Sequence, residues 1–578
     1  MSERKPPSEL QQALSGLMPY YKRAALFSLF ASFLVLAPSA YMLEVYDRVV
    51  NSSSQRTLFM LTLLVLGAYV IMELLEWARS EVMHEAALAF DKQLSTRVFD
   101  AIFQANLRRV AGGSIQPMND FRTLRDFLNT PVLLALMEAP VSSTFLVLIF
   151  MISPVLGWAA VVSALVQTFV GWLNERSTQP PLMAANRSAI AAQQYADGTL
   201  RNAQVIESMG MLKDIHRRWM DKQRLFLGLQ AAASDKGGVF QAWSKFIQNV
   251  VGSMLLGLSA FLLLRNELNG GAAYLLIGSV LGGRVLAPLV QIVAQWQGVV
   301  AVRLAYERLD ALLTSVPARP ANMALPEPRG HLQVDQLMAG APGNPAPILK
   351  GVSFALKPGE VLAVVGPSAS GKTTLARLLV GLWPAAAGKV RLDGADVFTW
   401  DKAELGPHVG YLPQGVELFD GTIADNIARF GVVERAKVEA AARAVGLHEF
   451  IMALPDGYEQ TVGREGATLS GGQRQRVALA RAIYGEPAYV VLDEPNSSLD
   501  EQGDSALAAA ITQLKATGTT FVVMTHRTSV LSVSDKMLVL RDGQMQAFGP
   551  RDEVIKALNE AVEKTRQVVT APMAAARA

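Results

Sequence analysis

The 578 residues contain no cysteine, which excludes disulfides, thiolate metal sites and a cysteine nucleophile. Histidine is scarce, at six. Charged residues make up only 18%, against the ~25% usual in soluble chains. Net charge is +3, from 53 basic and 50 acidic residues, so no overall basic bias points to nucleic acid. What the chain has is apolar surface. The set AVILMFWYC reaches 51% before 45 glycines are added, and mean hydropathy is +0.25. That composition excludes both bulk disorder and an ordinary soluble enzyme, and it argues against the four small domains that ~150 residues per domain would allow.

The apolar residues are concentrated in the first half. Six stretches are long enough to cross a bilayer core, which takes ~20 helical residues. They lie near Ala24–Leu43, Leu58–Leu75, Val132–Ser153, Val155–Leu173, Ile247–Leu264 and Gly271–Val293. The first has full spanning length and no small-residue cleavage pattern, so a cleavable signal peptide is not expected. Lys and Arg number four before the first span, seven between the second and third (Arg79 among them) and ten between the fourth and fifth, while the alternate connections hold only Arg48, Arg56 and Arg265. The N-terminus and both long connections are therefore expected to be cytoplasmic. Those connections are too long for turns and too rich in helix formers for disorder, and are expected to continue the spanning helices by roughly 50 Å beyond the membrane. Glu138 and Arg284 are costly if they face lipid. They are expected to face the interior or an end, either lining or gating a path through the bundle, or snorkelling or pairing structurally near the cytoplasmic end.

Arg303–Leu313 reads as an amphipathic helix, and the four prolines of Val316–Gly330 mark a linker. Beyond it, short β-rich runs at Glu360–Val365, Tyr489–Leu492, Phe521–Met524 and Lys536–Leu540 alternate with helices, an α/β pattern. The expected organisation is a membrane domain over 1–315, a linker over 316–330, an α/β nucleotide-binding domain over 331–565 and a tail over 566–578.

The α/β half carries the chemistry. GPSASGKT comprises Gly366, Pro367, Ser368, Ala369, Ser370, Gly371, Lys372 and Thr373, with Thr374 next. It satisfies G-x4-G-K-[ST] between the strand VLAVV and the helix TLARLLV. Glycines there let backbone N–H groups approach phosphates at a helix N-terminus. Lys372 is expected to reach the β- and γ-phosphates of ATP, and the Thr373 hydroxyl to hold Mg²⁺. In YVVLDEP, Asp493 ends a strand where a carboxylate can orient Mg²⁺. Glu494 follows, placed to take a proton from the attacking water. Leu469, Ser470, Gly471, Gly472 and Gln473 spell LSGGQ, then Arg-Gln-Arg. The serine and paired glycines form a second anion site at a helix N-terminus.

These strings resemble the ABC ATPase family, whose signature is LSGGQ. The resemblance implies further positions. Gln414 in GYLPQ is similar to the Q-loop, which couples Mg²⁺ and the water to the membrane domain. His526 looks like the switch histidine on the γ-phosphate, and Asp500 closes a stretch resembling the D-loop. Two departures stand out. The place usually held by an adenine-stacking aromatic falls on Ala341. The exporter string V-G-E-x-G appears as Val462-Gly463-Arg464-Glu465-Gly466, its acid displaced by one place.

In this family each nucleotide lies between the P-loop of one domain and the signature of another. One of each per chain, after six spans, resembles an exporter half-transporter acting as a homodimer. Met42–Val50 and Leu200–Leu212 resemble loops of type I secretion transporters, the second those of the branch exporting proteases, lipases and haem-scavenging proteins. Gly283–Pro288 is similar to that branch's sixth span. With about 23 residues ahead of the first span, and no thiol, a peptidase activity is not expected. The resemblance implies ATP-driven export of an unfolded protein with a C-terminal signal across the inner membrane, with a periplasmic adaptor and an outer-membrane channel as partners. A lipid or drug flippase is the alternative.

Overall fold

The computed structural model describes all residues except 1–6, 51, 109, 111, 266, 268–272, 319–322, 342–345, 464–465 and 561–578, and the side chains at 47 and 273–276. The expected tail and the displaced acid at Arg464-Glu465 thus lie outside the described residues. The chain forms two compact units: Met1–Asn106 with Ala111–Ala318, and Leu107–Val110 with Arg319–Ala578.

The first unit is helical. Six of its segments are long and apolar enough to cross a membrane. The first is interrupted: Met18–Leu34 gives way to Ala37–Glu44 and then to a π-helical turn, Val45–Val50. Pro38 has no N–H to offer the preceding turn, so the break falls there. Three helices far exceed a bilayer. Gln55–Leu107 and Leu212–Leu264 have 53 residues each and Pro154–Leu200 has 47, about 70–80 Å at ~1.5 Å per residue. The long connections are thus helix, as their composition implies. Pro131–Ile152, Ala273–Ala294 and Trp296–Ser315 join them, with the shorter helices Glu9–Gly16, Gln116–Phe127 and Ala203–Ser208.

Packing divides along these helices. Ile149, Leu156, Leu255, Leu281 and Leu286 form a core among the spanning segments, and Phe90, Phe121, Leu94 and Leu309 form another among the extensions, with Phe90 stacked on Phe121. Phe59, Leu63, Leu64, Trp158 and Leu165 remain exposed on the chain, as a lipid-facing surface requires.

Polar ties cross the bundle. Arg79 Nη1 donates to Glu138 Oε1 at 2.5 Å and to Ser28 Oγ at 3.3 Å, joining three helices. Glu138 is thereby paired structurally, the second of its two expected roles. Arg284 is exposed on the chain. Gln167 donates to Ser244 between two of the long helices, both side chains buried.

The second unit is α/β. Its strands are β1 Leu332–Gly340, β2 Pro347–Leu356, β3 Val361–Val365, β4 Ala387–Leu392, β5 Ala395–Asp396, β6 Val409–Leu412, β7 Tyr489–Asp493, β8 Thr520–Met524, β9 Lys536–Arg541 and β10 Gln544–Pro550. They make an antiparallel sheet ordered β2-β1-β4-β5 and a second sheet ordered β10-β9-β3-β8-β7-β6. Within the second, β9, β3, β8, β7 and β6 run parallel. Such strands are buried on both faces and read as continuous apolar runs, and every residue of β7 and β8 is buried.

Candidate functional site

Strand order places the sequence-predicted residues side by side. Val364 of β3 is level with Met524 of β8, which is level with Asp493 of β7, while Leu412 of β6 is level with Leu492. The phosphate-loop Gly366, His526, Glu494 and Gln414 each follow their strand by one or two residues. They therefore emerge along one carboxyl edge, with neighbouring strands ~4.8 Å apart. Ligands of open α/β sheets bind along this edge.

The loop from Gly366 to Gly371 is shaped by positions that tolerate no side chain. A Cβ at Gly366 would meet Leu540 O at 2.1 Å, and Gly371, at φ +103°, would press one against Leu349 Cδ2 at 2.8 Å. Ala369 is also left-handed, at φ +64°, a strained conformation for a residue with a Cβ. Pro367, Ser368 and Ala369 are exposed, whereas Ser370 is buried and its Oγ has no hydrogen-bond partner. Lys372 Nζ donates to the carbonyls of Gly366 and Pro367, at 2.7 and 3.0 Å, and so stays at the loop. The helix Lys372–Leu379 starts directly behind it, carrying Thr373 and the buried Thr374.

Asp493 is fully buried at the end of β7. Neither carboxyl oxygen has a partner in hydrogen-bonding geometry, although the Thr373 hydroxyl is near enough to draw its pKa down. Burial pushes that carboxyl up and outweighs Thr373. The charge of Glu494 adds to the rise, against Arg377 and Lys372. A buried carboxylate without a donor, beside a hydroxyl and a phosphate loop, is a donor set that suits a hard divalent cation. Burial, with help from Asp493, pushes the neighbouring Tyr411 hydroxyl up to about 12.

Glu494 is held at φ +53°, with its N–H donating to Met524 O at 3.0 Å. That conformation turns the half-buried carboxylate out of the strand direction, and Gln414 Nε2 donates to its Oε2 at 3.0 Å. His526 is exposed in the loop after β8. The preceding Thr525 donates to Asn496 Oδ1 at 3.4 Å, and Asn496 donates to Asp504.

The LSGGQ segment lies on another element. Ser470 caps the helix Gly471–Ile483: its Oγ accepts from Gln473 N at 3.3 Å while Gln473 Oε1 accepts from Ser470 N at 2.8 Å. A Cβ at Gly472 would meet Ser498 O at 2.9 Å. Asp500 caps the helix Glu501–Ala516 through Gly503 N at 2.8 Å and takes Arg476 Nη2 at 2.5 Å. The Gly503 bond foremost, helped by Arg476, lowers its pKa.

Gln475, which motif reading passes over, ties these elements to the strand edge. It is 3% exposed. It donates to the carbonyls of Glu494 and Pro495 and accepts from Ser498 N at 3.0 Å and Ser497 Oγ at 3.2 Å. The Gln-Arg-Gln-Arg run was the available signal, since a second amide two residues on turns to another helix face. Ala341 is half-buried against the core between the two sheets; positions 342–345 after it are not described.

Residues 349–497 match the family model for the ABC transporter, and residues 24–285 match that for the ABC transporter transmembrane region. The chain is 40% identical over 91% of its length, and 91% of the relative's, to the "Type I secretion system ATP-binding protein PrsD" of Rhizobium meliloti. It is 28% identical over 92% of its length, and 75% of the relative's, to the "Cyclolysin secretion/processing ATP-binding protein CyaB" of Bordetella pertussis. A solved bacterial Atm1-family ABC exporter with ATP bound has the same fold, with a TM-score of 0.80 at 22% identity over 95% of this chain and 96% of that one. ATP hydrolysis driving transport follows from the ATPase unit. By membrane region, ATPase region and a relative matched nearly end to end, the chain belongs to the ABC transporters, as an exporter of the type I secretion kind.

Proposed function

We propose that two copies of this chain form the ATP-driven engine of a type I secretion system in the inner membrane. It passes an unfolded protein with an uncleaved C-terminal signal to a periplasmic adaptor and an outer-membrane channel. The observation that carries the reading is the 40% identity to a type I secretion protein, running through both units. The unequal distribution of Lys and Arg supports cytoplasmic placement of the N-terminus, the long helical extensions and the ATPase unit. The division at 1–315, 316–330, 331–565 and 566–578 is part of the same proposal.

The strand-edge residues have the chemistry the reaction needs. The N–H groups of Gly366–Gly371 and the Lys372 ammonium cradle the phosphates of ATP. Thr373, Asp493 and Gln414 would hold Mg²⁺, which neutralises charge building on the β- and γ-oxygens when bound. The Glu494 carboxylate takes a proton from water as its oxygen attacks the γ-phosphorus. The bond to the leaving ADP oxygen breaks, releasing phosphate. His526 bonds the γ-phosphate. Ser470, Gly471, Gly472 and Gln473 of the second copy, with Asp500 nearby, close the other side. With Ala341 in place of an aromatic, the adenine is held without a stack from that position.

The test is co-expression with a cognate adaptor and outer-membrane channel, following a protein that bears the candidate C-terminal signal. Cargo in the medium that disappears with Glu494→Gln supports the reading. Cargo retained in the cytoplasm in every combination, with ATP-dependent lipid movement in proteoliposomes, supports the flippase instead.

A further inference from the structure

A cavity of about 220 Å³ opens within the helical unit, between the helices Pro154–Leu200 and Leu212–Leu264 and the junction where Ala273–Ala294 meets Trp296–Ser315. Its polar lining consists of Asn174, Thr178, Ser234, Gln241, Trp296 and Gln297. Two features set it apart. Asn174 is 1% exposed, and its Oδ1 has no hydrogen-bond partner; Trp296 Nε1, on the opposite helix, has none either. A buried acceptor and a buried donor, each lacking a partner, cost roughly 1–3 kcal/mol apiece unless something enters to bond them. Thr178 is only partly spent, since its hydroxyl donates to Asn174 O at 2.6 Å and keeps its lone pairs.

The lining selects the occupant. It contains no Asp, Glu, Lys or Arg, so a phosphate-bearing lipid headgroup or any other ion would be left without a counter-charge. The volume falls below the ~300 Å³ where drug-sized pockets begin. What fits is small, neutral, and carries a donor and an acceptor close together. A peptide unit is that group: its C=O accepts from Trp296 Nε1 and its N–H donates to Asn174 Oδ1. Access runs past Ser234 and Gly238, both exposed, and a Cβ at Gly238 would meet nothing within 4 Å. Asn174 directly follows the apolar run that opens its helix, and Trp296 stands two residues past the end of the apolar helix Ala273–Ala294, so the cavity sits at one end of the apolar spans.

We propose that this cavity is a sequence-tolerant docking subsite for one peptide unit of the chain being exported. The subsite rests on the protein-export reading and adds to it where the moving chain first touches the membrane unit. Backbone recognition suits cargo with no fixed sequence, because every residue except proline offers the same pair of groups.

The test uses the full chain, purified in nanodiscs, with p-benzoylphenylalanine at Gln297 as photoprobe. The probe ligand is a biotinylated unstructured Gly/Ser peptide of twenty residues, compared with its N-methylated counterpart, which lacks the amide donor. The plain peptide is expected to label Gln297 at least about tenfold more than the N-methylated one, the loss of one hydrogen bond to a buried group. Asn174→Leu is expected to abolish the difference. Trp296→Phe, which keeps the ring packing and removes only the N–H, is expected to cut labelling several-fold, and it keeps the test open if Asn174→Leu misfolds. Equal labelling by both peptides, undiminished labelling in Trp296→Phe, or no labelling from a chain that exports cargo in cells, overturns the subsite and leaves the export reading standing. A chain that moves lipid and exports no protein overturns both.

Discussion

Gln414 donates a 3.0 Å hydrogen bond to the carboxylate of Glu494, although the two lie 80 positions apart in the chain. They meet because β6 and β7 are parallel neighbours and each residue leaves its strand at the same edge. In the proposed mechanism the carboxylate accepts a proton, the amide then faces a neutral acceptor in place of a charged one, and the loop after β6 would feel hydrolysis through this bond.

Replacing Glu494 by Gln removes the proposed base while keeping the shape. ATP is expected to remain bound and turnover to fall by about 10²–10⁴-fold, the usual contribution of a general base. Gln414→Ala is expected to lower turnover less, and to weaken ATP retention modestly through the lost Mg²⁺ contact. Phosphate release and nucleotide retention, measured separately on the purified chain, check both.

Asp493 is expected to trade stability for activity. Its folded pKa is raised by burial, so the stability it has when protonated is full below the ordinary carboxyl value. That stability is lost as pH rises through the raised one. Asp493→Asn removes this dependence. At neutral pH without nucleotide the variant is expected to melt roughly 2–4 °C higher per kcal/mol recovered, while Mg²⁺-dependent hydrolysis disappears. Melting curves from pH 4 to 8, with and without Mg²⁺ and ATP, give both readings. A parent chain whose stability rises across that range would refute the assignment.

Arg429 is a half-buried cation that bonds backbone carbonyls. It donates to the oxygens of Gly406, Val409, Arg481, Ala482 and Tyr484, and burial lowers its pKa. Arg429→Met would strand those acceptors together. A loss of about 3 kcal/mol or more is expected, read as a lower denaturant midpoint for the ATPase unit's transition.

Glu138→Gln leaves the Arg79 guanidinium, 10% exposed, beside a neutral amide. Destabilisation of about 2–3 kcal/mol is expected, seen as a lower yield of folded protein in membranes. Arg79→Met together with Glu138→Leu is expected to recover most of it. A double variant as poor as the single one would argue that the pair serves transport itself.

Mixing a Lys372→Ala chain with a Ser470→Arg chain tests the composite site. Each homodimer should be inactive, whereas a heterodimer has one site with both halves intact and should regain turnover. Confirmed heterodimers without turnover, if the two sites work independently, would contradict the pairing of P-loop with the opposite signature.

What could be read ahead of the structure was local. The six apolar runs, the strand–loop–helix around Lys372 and the Asp493-Glu494 step are contiguous patterns, and the helical reading of the long connections followed from their composition. What escaped depends on distant pairing. Arg79 and Glu138 are 59 positions apart, so neither segment reveals which of the two expected roles Glu138 takes. Gln475 sits beside a well-marked motif, but its four partners come from the Glu494–Ser498 turn. Arg429 resembles any surface arginine until the strand ends and helix end around it are assembled.

The central claim, that ATP hydrolysis here moves a polypeptide, is tested most directly in inside-out proteoliposomes holding this chain alone. A labelled unfolded cargo with the candidate C-terminal signal is added outside with ATP, then protease. The account expects a protease-protected fraction that grows with time and is absent with Glu494→Gln or without Mg²⁺. Cargo fully digested under all conditions, while a fluorescent lipid moves between leaflets at a rate set by ATP, would contradict it.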